Sequence, residues 1–182
     1  MLVTGNGPLV GQNSRLVFAS ELVAGEQVAT LIPKMIPGSV IAALIGWKEL
    51  PWLFAFDTWV ANVDRHQGNI LVRSAKEFCA IDHGHCFAGP KTNMDSLNPR
   101  ESFRNRLAEW LVPEMSPDAK LQFLGALVNL PVQMQHLNIS EVLEESQAFS
   151  VDPTLSRTKV RDFLEDRRNR LPELGHAAIG RK

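Results

Sequence analysis

The placement of Asp64, Asn69 and Asp82 around two short apolar runs constrains this chain more than any other feature. The stretch reads Asp64-Arg65-His66-Gln67-Gly68-Asn69-Ile70-Leu71-Val72, and then Phe78-Cys79-Ala80-Ile81-Asp82-His83-Gly84-His85. Its polar skeleton is Asp, four residues, Asn, twelve residues, Asp-x-Gly. Asn69 opens one apolar run, Ile70 to Val72, and Asp82 closes another, Phe78 to Ile81. Arg73 to Glu77, between the runs, is long enough for a hairpin loop. Two antiparallel strands so joined bring the start of the first beside the end of the second. Asn69 and Asp82 are therefore expected to meet at the open end, with Asp64 on the loop just before.

Taken singly, each of these residues has a plain structural reading, because Asn and Asp at strand ends commonly serve turns. The joint spacing, with Gly84 behind Asp82, is far more specific. Mg²⁺ selects hard oxygen ligands, usually one or two carboxylates or amides, with phosphate and water completing the octahedron. Asn69 and Asp82 supply such a pair, and Asp64 is left as a separate carboxylate. His66, His83 and His85 lie close by with Cys79 and Cys86, a set that could instead hold zinc. No Cys-x-x-Cys repeat accompanies them, so zinc is the weaker reading.

The stretch from about Trp52 to Phe87 resembles the catalytic segment of HipA-like kinases. It is also similar to the loop of phosphatidylinositol 3- and 4-kinases, which reads Asp-Arg-His-x-x-Asn and then Ile-Asp-x-Gly-His. The resemblance implies a phosphotransferase of bilobal kinase fold that uses ATP and Mg²⁺. In protein kinases the loop Asp accepts the substrate hydroxyl proton, and the later Asn and Asp hold the metal. Carried over, Asp64 is the catalytic base, Asn69 and Asp82 are Mg²⁺ ligands, and His66 orients the loop or the γ-phosphate. Asn62 matches the HipA-like Asn-x-Asp-x-His and would brace the loop, with Arg65, Gly84 and His85 as further support. His83 stands where many kinases have the Phe of Asp-Phe-Gly.

The rest of the chain fits an α+β protein dominated by helices. With 182 residues and 45% hydrophobic content, it can bury one sizeable core. A formal net charge of −1 argues against a nucleic-acid binder with a global positive field. Two cysteines, no signal-like start and no long apolar run lead us to expect a reduced, cytoplasmic protein that does not enter a membrane. Residues 1–14 read as a flexible Gly- and Asn-rich segment, and 15–24 as a β-prone strand. Ser39 is a plausible N-cap for a helix over Val40 to Leu50. Pro51 suits the start of a second helix, with Trp52, Leu53, Phe56, Trp59, Val60 and Val63 as its core face. Helical segments follow near 102–112, 117–130, 139–148 and 154–171, and Ser116-Pro117-Asp118 is a strong start signal. The last segment is basic, through Arg157, Lys159, Arg161, Arg167, Arg168 and Arg170. Interleaved acids make a solvated face its expected role, over a buried stripe of Val160, Phe163, Leu164 and Leu171.

By the same resemblance, residues 15–182 correspond to the large, C-terminal lobe of a HipA-like kinase. Residues 15–24 would form the hinge strand, 39–63 the helices before the site, 64–87 the catalytic loop and metal-binding hairpin, and 102–171 the helical part. A small lobe needs a Gly-rich loop and a strand Lys that grips the phosphates. Gly5-Asn6-Gly7 is only a faint match, and no Lys precedes Lys34. The small lobe is thus expected to be largely missing, whether the chain is a short form, half of a split protein or a fragment. An unpaired hinge-strand edge would invite a partner chain or a homodimer. The expected ligand is a nucleotide and the expected substrate a Ser or Thr hydroxyl on a protein. A catalytically silent kinase-fold binding module, or a lipid or small-molecule kinase, is the alternative.

Overall fold

The computed structural model describes residues 24–32, 37–74, 77–145 and 156–180, together with the backbone of 2–4 and 16–18. Five strands are seen among these residues: β1 (Leu2–Thr4), β2 (Leu16–Phe18), β3 (Glu26–Gln27), β4 (Ile70–Ser74) and β5 (Glu77–Ala80). The helices are α1 (Val28–Leu31), α2 (Pro37–Ile45), α3 (Leu50–Trp59), α4 (Arg106–Leu111), α5 (Pro117–Gln133), α6 (Ile139–Glu145) and α7 (Arg157–Gly180). The class is α+β and mainly helical, compatible with the large lobe of a kinase-like fold.

The core forms where α3, α5 and α7 pack against one another. Phe54 of α3 meets Phe123 of α5 with ring centroids 4.9 Å apart. The Trp59 indole donates to the Leu164 carbonyl at 2.9 Å and so ties α3 to α7. Helices α5 and α7 approach so closely that a Cβ on Gly175 would lie 2.2 Å from the Leu127 side chain. Any side chain at Gly175 would force the Leu127 side chain to move.

The sheet is small. Strands β3, β4 and β5 form one antiparallel sheet in that order, with Ile70 opposite Ala80 and Leu71 opposite Cys79. Strand β3 was not foreseen. It pairs with β4 through Glu26–Val72 and Gln27–Leu71, so β4 is flanked on both sides. Strands β1 and β2 pair antiparallel with each other, Leu2 opposite Phe18. Leu2–Thr4, expected within a flexible segment, is therefore a strand. Leu16–Phe18, part of the expected hinge strand, has β1 as its partner on one side. Residues 19–23 of the expected hinge strand lie outside the described residues.

Several helix readings need correction. Helix α2 begins at Pro37, whose fixed φ suits a first turn, so Ser39 lies inside the helix rather than capping it. Helix α3 buries Leu50, Phe54, Ala55, Asp57 and Thr58, while Phe56 is 36% exposed. Of the expected core face, Trp59 and Val60 are buried and Trp52 and Leu53 pack against the core, whereas the apolar periodicity missed Asp57 and Thr58 because these buried positions are polar. The helix also stops at Trp59, and Val60 to Val63 form a loop. Helix α4 starts later than the sequence suggested, at Arg106, where Asn105 caps it by accepting from the Ala108 N–H at 3.0 Å. Ser116 caps α5 as expected, accepting from Ala119 N–H at 3.2 Å. Helix α7 runs past Leu171 to Gly180.

Arg167 is the largest correction on α7. It is 1% exposed rather than part of a solvated face. Its guanidinium donates to the carbonyls of Thr58, Trp59, Pro99 and Glu101 and lies over the Phe103 and Phe163 rings. Burial lowers its pKa to about 10, partly offset by Glu101, so it is still charged at neutral pH. It locks the end of α3, just before the candidate site, to α7. No single helix among the described residues is long and apolar enough to cross a membrane.

Candidate active site

The site is built on the loop after α3, and its foundation is a buried ion pair. Asp57, the acid on an otherwise apolar helix, receives the Arg65 Nε at 2.9 Å and Nη2 at 3.1 Å. Both side chains are wholly buried. A buried charge is tolerated only when paired and fully hydrogen-bonded, and Arg65 meets that requirement. Its Nη1 donates to the Ile81 carbonyl and, more weakly, to those of Asn69 (3.3 Å) and Asp82 (3.4 Å). Asp57 also accepts the Asn62 amide at 2.8 Å, and Asn62 in turn accepts the Asp64 N–H at 3.2 Å. One ion pair thus fixes both ends of the hairpin and the loop before it.

On this frame the hairpin opens toward Asp64. The Ile81 N–H donates to the Asn69 carbonyl at 3.0 Å, one step beyond the β4–β5 ladder. That bond sets Asn69 beside the end of β5, directly before Asp82. The Asn69 amide nitrogen donates to the Asp64 backbone carbonyl at 3.0 Å. Because a carbonyl takes the NH₂ group, the amide oxygen is turned away as an acceptor. Asp82 adopts φ +57, a left-handed conformation that Asp tolerates better than most residues and that clusters at functional sites. Its Oδ1 accepts the Gly84 N–H at 3.1 Å. Among the described residues no hydrogen bond is made by Oδ2. One amide oxygen and one carboxylate oxygen are thus left as acceptors, hard oxygen donors of the type Mg²⁺ takes.

Asp64 faces one arginine and two histidines. Arg106 at the start of α4 donates to Oδ1, while His66 Nε2 and His85 Nε2 stand 3.8 and 3.9 Å from Oδ2. Partial burial raises the Asp64 pKa, but the Arg106 hydrogen bond and charge, helped by both histidines, outweigh it and hold the carboxyl below its ordinary range. His66 accepts the Gly68 N–H on Nδ1 at 2.9 Å, which assigns the proton to Nε2, facing Asp64. A Cβ on Gly68 would lie 2.7 Å from that imidazole, so the ring position requires glycine.

The neighbouring His83 ring lies edge-on against Phe56, 5.9 Å between centroids, and takes the Arg65 Nη2 on Nδ1 at 2.9 Å. Desolvation and then the Arg65 charge lower its pKa, against the pull of Asp57 and Asp82, so it is neutral at pH 7. Burial pushes the Cys86 thiol up to about 11, which disfavours the thiolate that zinc needs. Among the described residues no group of three or more His, Cys, Asp or Glu side chains is suited to a metal ion. A Mg²⁺ held by one amide, one carboxylate and phosphates does not need such a group.

A cleft of about 360 Å³ adjoins Asp64, lined by Ala29, His66, Gln67, Gly68, Arg106, Glu109 and Trp110. The Trp110 indole donates to the Arg65 carbonyl at 3.2 Å, which attaches α4 to the loop. Asp57, Arg106 and Trp110 escaped the sequence reading. Asp57 left a signal, a lone acid within Leu-Pro-Trp-Leu-Phe-Ala-Phe-Asp-Thr-Trp. Arg106 and Trp110 left none, because only the fold brings α4 to the loop.

The family model described as phosphatidylinositol 3- and 4-kinase matches residues 54–131, from within α3 into α5. The matched stretch contains the whole loop, the hairpin and α4. No curated protein matches the chain, and no solved structure does. The match supports a kinase-like family and a phosphotransferase activity, for which ATP and Mg²⁺ are the general requirement.

Proposed function

We propose that this chain transfers the γ-phosphoryl group of ATP to an alcohol, with Asp64 accepting the hydroxyl proton and Asn69 and Asp82 ligating Mg²⁺. The observation that carries this reading is the Asn69 amide bond to the Asp64 carbonyl. It makes base and metal ligand parts of one rigid loop, and positioning is most of what phosphoryl transfer asks of a protein. Held by Asn69 and Asp82, Mg²⁺ would neutralise charge on the transferring group. Asp64 holds the acceptor hydroxyl and takes its proton as its oxygen bonds to the γ-phosphorus, while the bond from that phosphorus to the β–γ bridging oxygen breaks and ADP leaves with the electron pair. Arg65 and Asn62 keep Asp64 in place, and His66 and His85 temper its charge.

The family match favours a lipid or small-molecule alcohol as acceptor. A Ser or Thr hydroxyl, as in HipA-like kinases, is the second reading, supported by the Asn62-x-Asp64-x-His66 pattern. Under either reading the Lys and the Gly-rich loop that hold the phosphates would belong to a small lobe. Transfer of labelled γ-phosphate to polyol, lipid and protein acceptors, with and without that lobe, tests the proposal. Asp64→Ala is expected to abolish transfer while Mg²⁺-nucleotide affinity stays within a few-fold, because base catalysis and binding are separable. Loss of nucleotide binding as large as the loss of transfer would defeat that assignment.

A further inference from the structure

Arg106 occupies an unusual position for a residue that is not part of the loop. It is the first residue of α4, its backbone is fixed by the Asn105 cap, and its side chain is 42% exposed. One nitrogen, Nη1, holds Oδ1 of Asp64, the residue read above as the base. Among the described residues Nε and Nη2 have no hydrogen-bond partner. The same side chain lines the 360 Å³ cleft beside the loop. Glu109, the one acid of that lining, is engaged by Arg104 through two hydrogen bonds, at 2.8 and 2.7 Å.

We propose that Arg106 is a specificity-determining gate: it holds Asp64 until an acceptor alcohol bearing its own phosphate enters the cleft and draws the guanidinium away. This rests on the phosphotransferase reading. A neutral alcohol that displaced Arg106 from Asp64 would leave the guanidinium without its anion. A phosphorylated alcohol replaces a single-point contact with a bidentate one, which guanidinium geometry favours. It thereby frees Oδ1 for its hydroxyl. The long side chain on a capped helix start can swing while α4 stays anchored through Trp110. Selection for a phosphorylated acceptor is thus coupled to exposure of the base.

The test is binding of glycerol 3-phosphate, of glycerol, and of phosphatidylglycerol in phosphatidylcholine vesicles to the full chain, by calorimetry and vesicle sedimentation. The wild type should bind one or both phosphate-bearing ligands at least about tenfold more tightly than glycerol or plain vesicles, the scale of a charged hydrogen bond. Preference for the soluble ester identifies a free phosphorylated polyol, and preference for the vesicles a lipid headgroup. Arg106→Gln should erase the preference and Arg106→Lys retain part of it. Arg73→Gln, on the exposed hairpin surface, should keep it entire. A wild type without the preference, or a folded Arg106→Gln variant that keeps it, overturns the gate. Failure of the phosphotransferase reading would look different, as absent Mg²⁺-nucleotide binding beside an intact phosphate preference.

Discussion

Asp57 and Arg65 carry more of the site's geometry than the residues that would do its chemistry. Truncating one partner of a buried pair leaves an uncompensated charge, which typically costs about 3–5 kcal/mol. Asp57→Ala should therefore lower stability by about that amount in denaturant titration, and a loss under 1 kcal/mol would show that the pair is not structural. Arg106 and Asp64 give a second prediction, through pH. The Asp64 carboxyl lies below its ordinary range when folded, so its ionised form favours the folded state. That contribution is complete above the unfolded carboxyl value, about 4, and is lost as pH falls through the lower folded value. The destabilisation caused by Arg106→Gln should then be largest near neutral pH and fade toward pH 2. The hairpin that sets Asn69 beside the strand end before Asp82 was legible in the sequence, because two apolar runs joined by a short loop pair by local rules alone. Arg106 was not, since it lies 42 positions after Asp64 and only tertiary packing joins them.

At the scale of elements, the hairpin, the cap of α5 and the start of α3 around Pro51 followed from local signals, whereas the polar part of the buried face of α3 did not. Its buried face includes Asp57 and Thr58, and Thr58 spends its hydroxyl on the Phe54 carbonyl at 2.8 Å while accepting the Asn105 amide at 3.1 Å. Hydrophobic periodicity cannot see a stripe whose polar members are satisfied by partners elsewhere in the chain. Arg167 misled for the same reason: i,i+4 acids suggested a solvated face, but its four carbonyl acceptors come from α3 and the segment after the site. The α5–α7 crossing offers a test of close packing. Gly175→Ala should destabilise the chain by about 1–3 kcal/mol, the usual range for overpacking. Adding Leu127→Ala should recover part of that loss, because the methyl would then fill space the leucine vacated. Strict additivity of the two substitutions in thermal or chemical unfolding would contradict the contact.

For the whole molecule, the helical core, the small sheet and the loop between them make a rigid support for one end of a hairpin. Composition and length foretold a single helical core but not which strands would flank β4. The pairing of β3 depends on two residues, Glu26 and Gln27, too few to leave a periodic signal. The central claim is that Asn69 and Asp82 form a metal site beside an independent base. Its most direct test is calorimetric titration of ATP into the chain, with any partner lobe it needs, in Mg²⁺ and in chelator, for the wild type, Asp82→Asn and Asp64→Ala. We expect Mg²⁺-dependent binding in the wild type, its loss in Asp82→Asn, and retention within a few-fold in Asp64→Ala. Nucleotide binding indifferent to Mg²⁺, or an Asp82→Asn variant that binds Mg²⁺-ATP as the wild type does, would contradict it.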